Sequence, residues 1–340
     1  MISTSKTTPQ SPAHLFKAKT RQIDYTYLYC NIDKSASLCG SKERTKSRNK
    51  MWSKNSVTTM LATLLIFFLA YELYSLPVIS EVQIPTGAEA VQRGEYLVSA
   101  GGCISCHEGP DTTELSGGLA LQSEFGIFHV PNITPDVITG VGGWAGKDFL
   151  LAMKHGRSPN GGFYFPAFPY RSYAGMTDSD VLDIAAYLRT LPAIESVVPE
   201  HETPVWLANW MMAGWNFLAD LSQTPLPPNV DDPQLRRGAY LARNLGHCGE
   251  CHTPRNSLGI IDIKREFAGA DVGDGHAEAI DWPSLSNWTE EDFAFFLFLG
   301  MKPDGEYVGG EMEPIIEHNT SRLTEEDRQA LAAFFKHNPL

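Results

Sequence analysis

Cysteine is scarce in this chain. Six cysteines in 340 residues are too few for a disulfide-stapled scaffold. Basic charge is scarce beyond residue 80: the formal charge of −13 divides into +7 over residues 1–80 and −20 over the rest. So acidic a body disfavours nucleic acid and anionic lipid, and it steers toward a basic partner surface or simply keeps the chain soluble. Long apolar runs are scarcer still: there is one, Val57–Leu76, and no second membrane span is visible. No small-x-small cleavage site follows that run, which argues against a removed signal peptide. No acid/base pair is placed by any motif, so nothing local announces substrate chemistry.

What is present suits about two domains of ordinary size, with 43% hydrophobic residues and no sign of a disordered or fibrous chain. The 20 residues from Val57 to Leu76 carry one charge, Glu72. About 20 apolar residues cross a bilayer core. Lys42, Arg44, Lys46, Arg48, Lys50 and Lys54 precede them and Glu81 follows. Positive charge on the inner side then leaves residues 1–56 cytoplasmic and everything after 76 periplasmic, a single-pass inner-membrane arrangement with the bilayer as a partner. A buried soluble helix is the alternative. Residues 1–50 are polar and aperiodic, and Cys30 and Cys39 have no histidine pattern around them. Met51 opens an ordinary short basic region ahead of the anchor and is an alternative start.

The other four cysteines form Cys103-Ile104-Ser105-Cys106-His107 and Cys248-Gly249-Glu250-Cys251-His252. Two thiols three residues apart suit the two vinyl groups of a porphyrin, and the histidine that follows then lies under the iron. Zinc binding by either pair is the competing reading. The surroundings repeat as well. Arg93–His107 parallels Arg237–His252 with one residue inserted, and Gly94, Tyr96 and Leu97 match Gly238, Tyr240 and Leu241. At a register of 144, Trp144, Asp148, Phe149, Gly156, Pro159 and Gly161 match Trp288, Asp292, Phe293, Gly300, Pro303 and Gly305. Each copy closes on a capped helix, from Thr177 and from Thr324, that ends at a proline. The expectation is an all-α fold with two tandem haem domains, 86–200 and 230–340. A linker over 201–229 would hold the aromatic stretch Trp206–Leu221. That stretch reads either as an amphipathic helix packing the domains together or as a contact with a membrane surface or partner.

A haem that only passes electrons usually has a second protein ligand, and methionine raises its potential. Met312, in a loop 12 residues before Thr324, is the candidate for the second haem. At the 144 register Phe168 stands where Met312 does, and phenylalanine cannot ligate iron. Met176 is the first domain's candidate, with Met153 and His155 as alternatives; failing these, that haem is open or His-ligated. His14, His129, His201, His247, His276, His318 and His337 show no ligand spacing.

The run from Val130 to Pro192, with its "PNITPD", "GW..DF" and "PYxSYxxMTDxD" elements, resembles the haem domains of the cytochrome c subunits of periplasmic alcohol, gluconate and aldehyde dehydrogenases. The second domain, with CGECHTPRNSLG and GMKPDGEYVGGEM, is similar. The resemblance implies cytochrome c folds, two covalent haem c groups on Cys103, Cys106, His107 and on Cys248, Cys251, His252, with Met312 distal. It implies a relay from a dehydrogenase or other donor to a cytochrome or oxidase acceptor of the respiratory chain, with no substrate chemistry of its own. The chain departs from the pattern at Phe168, where many members have methionine, and in having two haem motifs rather than three. The competing functions are a haem enzyme of the dihaem peroxidase or thiosulfate-oxidising type, and a subunit of a haem-copper terminal oxidase.

Overall fold

The computed structural model describes residues 54–109, 114–204, 206–222, 231–273 and 275–337, with backbone only for 54–57, 69–74 and 222. Residues 1–53, including Cys30, Cys39 and Met51, lie outside the described residues, as do 223–230 of the proline-rich joint. The described residues from Thr58 onward form one compact unit.

Among the described residues the α-helices are, in order, α1 Lys54–Tyr74, α2 Ala88–Ala100, α3 Cys103–His107, α4 Gly146–His155, α5 Tyr170–Tyr173, α6 Asp178–Leu188, α7 Met212–Ser222, α8 Pro233–Tyr240, α9 Gly249–His252, α10 Glu290–Leu299, α11 Met312–His318 and α12 Glu325–His337. Most of the expected Val57–Leu76 run lies in α1, part of whose side chains fall outside the described residues. Among the described residues no helix is long and apolar enough to cross a membrane. The fold is largely helical, and among the described residues it also carries two short antiparallel hairpins, β1 Ala120–Ser123 with β2 Gly126–His129, and β3 Ala270–Val272 with β4 Gly275–Ala277. Each follows a CxxCH segment.

The repeat seen in the sequence is a repeat in space. α2 packs on α6 in the first half and α8 on α12 in the second. Each crossing is close because a glycine faces the opposing backbone. A Cβ on Gly94 would lie 1.9 Å from the Asp183 carbonyl oxygen, and one on Gly238 would lie 2.0 Å from that of Ala330. The single inserted residue of the second copy is absorbed as one π-helical turn, Leu241–Leu245, continuing α8. The "GW..DF" element is also explained by local physics. Asp148 accepts from the Ala145 N–H at 2.8 Å and Asp292 from the Thr289 N–H at 2.9 Å, so each fixes a helix start. Trp144 then lies edge-on to Phe149, and Trp288 to Phe293.

The 144 register does not run to the end. It still holds where Tyr164 N–H bonds the Gly156 carbonyl and Val308 N–H that of Gly300, each at 2.8 Å. Three residues are added between there and the last helices, which match at 147. Thr177 pairs with Thr324, and buried Leu323 takes the place of Met176.

Candidate haem-attachment site

The first thiol pair opens on the turn that ends α2. Gly102 is left-handed (φ 72°) and leads directly into α3, so Cys103 and Cys106 fall about one helical turn apart. His107 closes that helix. Its Nδ1 donates to the Pro131 carbonyl at 2.7 Å, which leaves Nε2 free as an acceptor for a metal. Burial lowers the His107 pKa to about 4, partly offset by the Pro131 hydrogen bond, so the ring is neutral at neutral pH. The "PNITPD" element shapes the loop that carries this carbonyl. Buried Asn132 donates to the Ile194 carbonyl at 2.7 Å and to Thr139 Oγ1 at 3.0 Å, and it accepts from the Thr134 N–H at 2.9 Å. Beside α3, Val98, Ile104, Leu115 and Leu191 line a small apolar cleft.

The second site repeats the device with different residues. His252 Nδ1 donates to the Glu278 carbonyl at 2.6 Å, and burial lowers this ring's pKa too. The Thr253 hydroxyl accepts from the Phe267 N–H at 3.0 Å and holds the following loop. None of the thiols of Cys103, Cys106, Cys248 and Cys251 is in a disulfide. Burial raises all four pKa values, so they are thiols rather than thiolates. Each site therefore offers two neutral thiols on one turn and a neutral imidazole fixed by a backbone carbonyl. That donor set fits haem c. Among the described residues, no group of three His, Cys, Asp or Glu side chains is arranged to hold a metal ion by itself.

The methionines stand in unlike places. Met176 is buried, its N–H bonded to the Tyr173 carbonyl just before the α6 cap. Met312 is the first residue of α11, and the charge of its neighbour Glu311 reaches Cys251. Phe168 packs among Tyr164, Tyr170 and Tyr173. Met153 is buried in α4; His155, at the same helix's end, is exposed.

The contact between the two attachment segments was not read from the sequence. The residue before the first thiol of each motif touches the other segment: His247 Nε2 lies 3.3 Å from the Gly101 carbonyl and packs beside Gly102. His247 is half-buried, holds a left-handed backbone (φ 41°) and stands edge-on to Tyr173, whose hydroxyl donates to the same Gly101 carbonyl at 2.9 Å. The motifs themselves reach across. Ser105 donates to Asn319 of the second half at 2.8 Å, and Glu250 accepts from Ser172 of the first half at 2.6 Å. Ser105 and Glu250 are equivalent positions, and so are Ser172 and Asn319 at the 147 register. The bonds are thus one contact made twice about a pseudo-two-fold axis. Its signal was in the repeat, but only with the later register, which the constant 144 offset conceals.

Residues 91–192 match the family model described as cytochrome c. The chain is 39% identical over 294 residues to a dihaem cytochrome c-type protein of Cereibacter sphaeroides, covering 84% of this chain and 99% of that one. It is 35% identical to the gluconate 2-dehydrogenase cytochrome c subunit of Pantoea cypripedii, over 72% of this chain and 59% of that one. It is 31% identical to the cytochrome c subunit of the quinone alcohol dehydrogenase of Gluconobacter oxydans, over 73% and 55%. The chain thus spans little more than half the length of these two dehydrogenase subunits.

Proposed function

Because this chain belongs to the dihaem c-type cytochromes, electron carriers with two covalent haem c groups, we propose that it is a membrane-anchored relay between a periplasmic dehydrogenase and the respiratory chain. Cys103, Cys106 and His107 hold the first haem, and Cys248, Cys251 and His252 the second. Met176 and Met312 serve as the distal ligands. The haem domains are 86–200 and 230–340, with 201–229 between them, and the Val57–Leu76 run anchors the chain by one span. When bound, each haem supplies a one-electron iron couple.

The protein's own part is positioning. The Pro131 and Glu278 carbonyls hold the two imidazoles in one tautomer and one orientation. The observation that carries the relay reading is the contact of the two attachment segments through Gly101, Gly102 and His247. Attachment segments in contact would hold both cofactors close together on one molecule, as internal transfer requires. A dehydrogenase donor is supported by the named relatives, two of which are dehydrogenase subunits. The acidic body favours a basic face on the donor, or on a cytochrome or oxidase acceptor.

The test is a redox titration of the full chain matured with haem, combined with carbon monoxide addition. Two covalent haems that are six-coordinate, show the methionine-to-iron charge-transfer band and ignore carbon monoxide are expected. A haem that binds carbon monoxide would remove Met176 or Met312 as a ligand and reopen the enzyme reading.

A further inference from the structure

The stretch Trp206–Leu221 runs through a turn at Trp206 and a 3-10 turn, Asn209–Met211, into α7, with one side buried and the other exposed. Met212 and Ala213 are buried against Phe128 of β2 and against Phe163 and Phe165, while Asn216 accepts from the Tyr170 hydroxyl at 2.7 Å. The opposite face is open. Trp206 is 62% exposed, Trp210 63%, Phe217 52% and Leu221 70%. Trp210, Phe217 and Leu221 recur at helical spacing, so the open residues form a stripe rather than scattered exceptions. The inner face carries the packing against the first half, and the stripe presents a contiguous apolar surface on the other side.

Where the stripe sits identifies what covers it. The chain leaves α1 at Tyr74, and the next carbonyl, that of Ser75, accepts from the Arg157 guanidinium at 3.4 Å. That guanidinium lies 3.8 Å over the ring of Phe163, the same ring that packs under α7. One arginine and one phenylalanine therefore separate the exit of α1 from the inner face of α7. The segment after α1 stays pinned there, Glu81 pairing with Lys147 of α4. A helix that spans a bilayer brings its end to the headgroup level, where tryptophan partitions best.

We propose that α7 is a second, monotopic membrane contact, lying in the interface with Trp206, Trp210, Phe217 and Leu221 among the lipids and holding the first half against the bilayer. This rests on the reading of α1 as an anchor. The ligand class is a zwitterionic lipid surface. Residues 206–222 contain no lysine or arginine, and their one charge, Asp220, is paired with Arg171 at 2.8 Å. Binding thus draws on apolar area rather than on anionic headgroups, and it is insensitive to salt. The second half, whose Leu258 carbonyl accepts from the Trp215 indole N–H of α7 at 2.7 Å, keeps its remaining surface for a soluble partner.

The experiment places the photoreactive residue p-benzoylphenylalanine at Phe217, at Leu221 or, as a reference, at Asp304 in the full-length dihaem protein. Each variant is reconstituted in vesicles of dioleoylphosphatidylcholine, floated on a density gradient and irradiated. The expected result is flotation of all three, with lipid adducts on the 217 and 221 peptides at least tenfold more abundant than on the 304 peptide, at low and high salt alike. Flotation with water-quenched probe at 217 and 221 would overturn the α7 contact and leave the anchor standing. Crosslinks at 217 to a second copy of the chain would overturn it in favour of a self-association face. Failure to float would sink the anchor and, with it, the α7 contact.

Discussion

Two methionines in unlike settings make the sharpest statement at the scale of single residues. Met176 is locked by burial and a backbone turn ahead of a helix cap, whereas Met312 is half-buried at the first residue of α11. If both are ligands, the two haems differ in how rigidly the distal side is held. Met176→Leu keeps the volume, so it costs under about 1.5 kcal/mol and should leave the fold intact. It should halve the methionine-to-iron band and lower one of the two potentials. Met312→Leu should remove the other half. Spectra in which either change leaves the band untouched would show that residue to be packing only. On the proximal side the decisive residue is Asn132, which no ligand pattern singles out. Asn132→Ala deprives a buried loop of three hydrogen bonds and should cost about 2–3 kcal/mol. Because Pro131 next to it orients His107, haem occupancy at Cys103 and Cys106 should fall while that of the second site is kept. Equal loss at both sites in the holoprotein's mass spectrum would show a general defect instead.

At the scale of elements, the close crossings α2·α6 and α8·α12 organise the halves, and Gly94 and Gly238 permit them. A methyl group at either meets backbone at about 2 Å, which no rotamer change can relieve. Gly94→Ala and Gly238→Ala should each destabilise by about 2–3 kcal/mol, at the upper end of overpacking costs. Urea unfolding of the dihaem protein measures this; a change within 0.5 kcal/mol, the range of an ordinary surface substitution, would mean the crossing can open at no cost. These glycines were legible in the sequence as a repeat match, and so were the CxxCH turns, the capped helices and the aromatic stretch. Local signals suffice for these: helical spacing, a capping residue, a pair of thiols. The π-turn after α8 was legible only as an inserted residue, since nothing local says how a chain absorbs one. The hairpins after each motif went unread because strands of three or four residues have too short an alternation to register. The contact of the two halves was out of reach for a different reason. Ser105, Asn319, Glu250 and Ser172 are polar residues on separate elements, and only tertiary packing makes them partners.

At the scale of the whole molecule, the halves are clasped by a pair of tyrosine–aspartate bonds that the pseudo-symmetry repeats. Tyr96 of α2 donates to Asp327 of α12 at 2.5 Å, and Tyr240 of α8 donates to Asp180 of α6. Tyr96 and Tyr240 are equivalent, as are Asp180 and Asp327. Burial first, and the bond to Asp327 second, raise the Tyr96 pKa to about 12. Tyr240 is raised by burial and its bond to Asp180. Burial works against ionisation of Asp327, but hydrogen bonds from Arg237 and Tyr96 outweigh it and hold the pKa below its ordinary value. Each shift fixes a sign. A phenol whose folded pKa is raised stabilises fully below its unfolded value, about pH 10, and loses that contribution as pH climbs toward 12. A carboxylate whose folded pKa is lowered stabilises above about pH 4 and loses it as pH falls further. The clasp is therefore at full strength across neutral pH and loosens at both extremes. Tyr96→Phe keeps the ring and removes the donor, and Arg237 still pairs with Asp327 at 2.7 Å, so the cost at pH 8 should be about 1–2 kcal/mol. Other buried tyrosines, Tyr170 and Tyr173 among them, also titrate high, so alkaline loss alone identifies nothing. The difference between wild type and variant does. That gap, measured by urea unfolding of the dihaem protein, should hold from pH 6 to 10 and close toward pH 12, as the wild-type phenol gives up the proton the variant never had. A gap that stays constant to pH 12 would mean that folding does not raise the Tyr96 pKa, and no gap at pH 8 would mean that its hydroxyl contributes nothing to holding the two halves together.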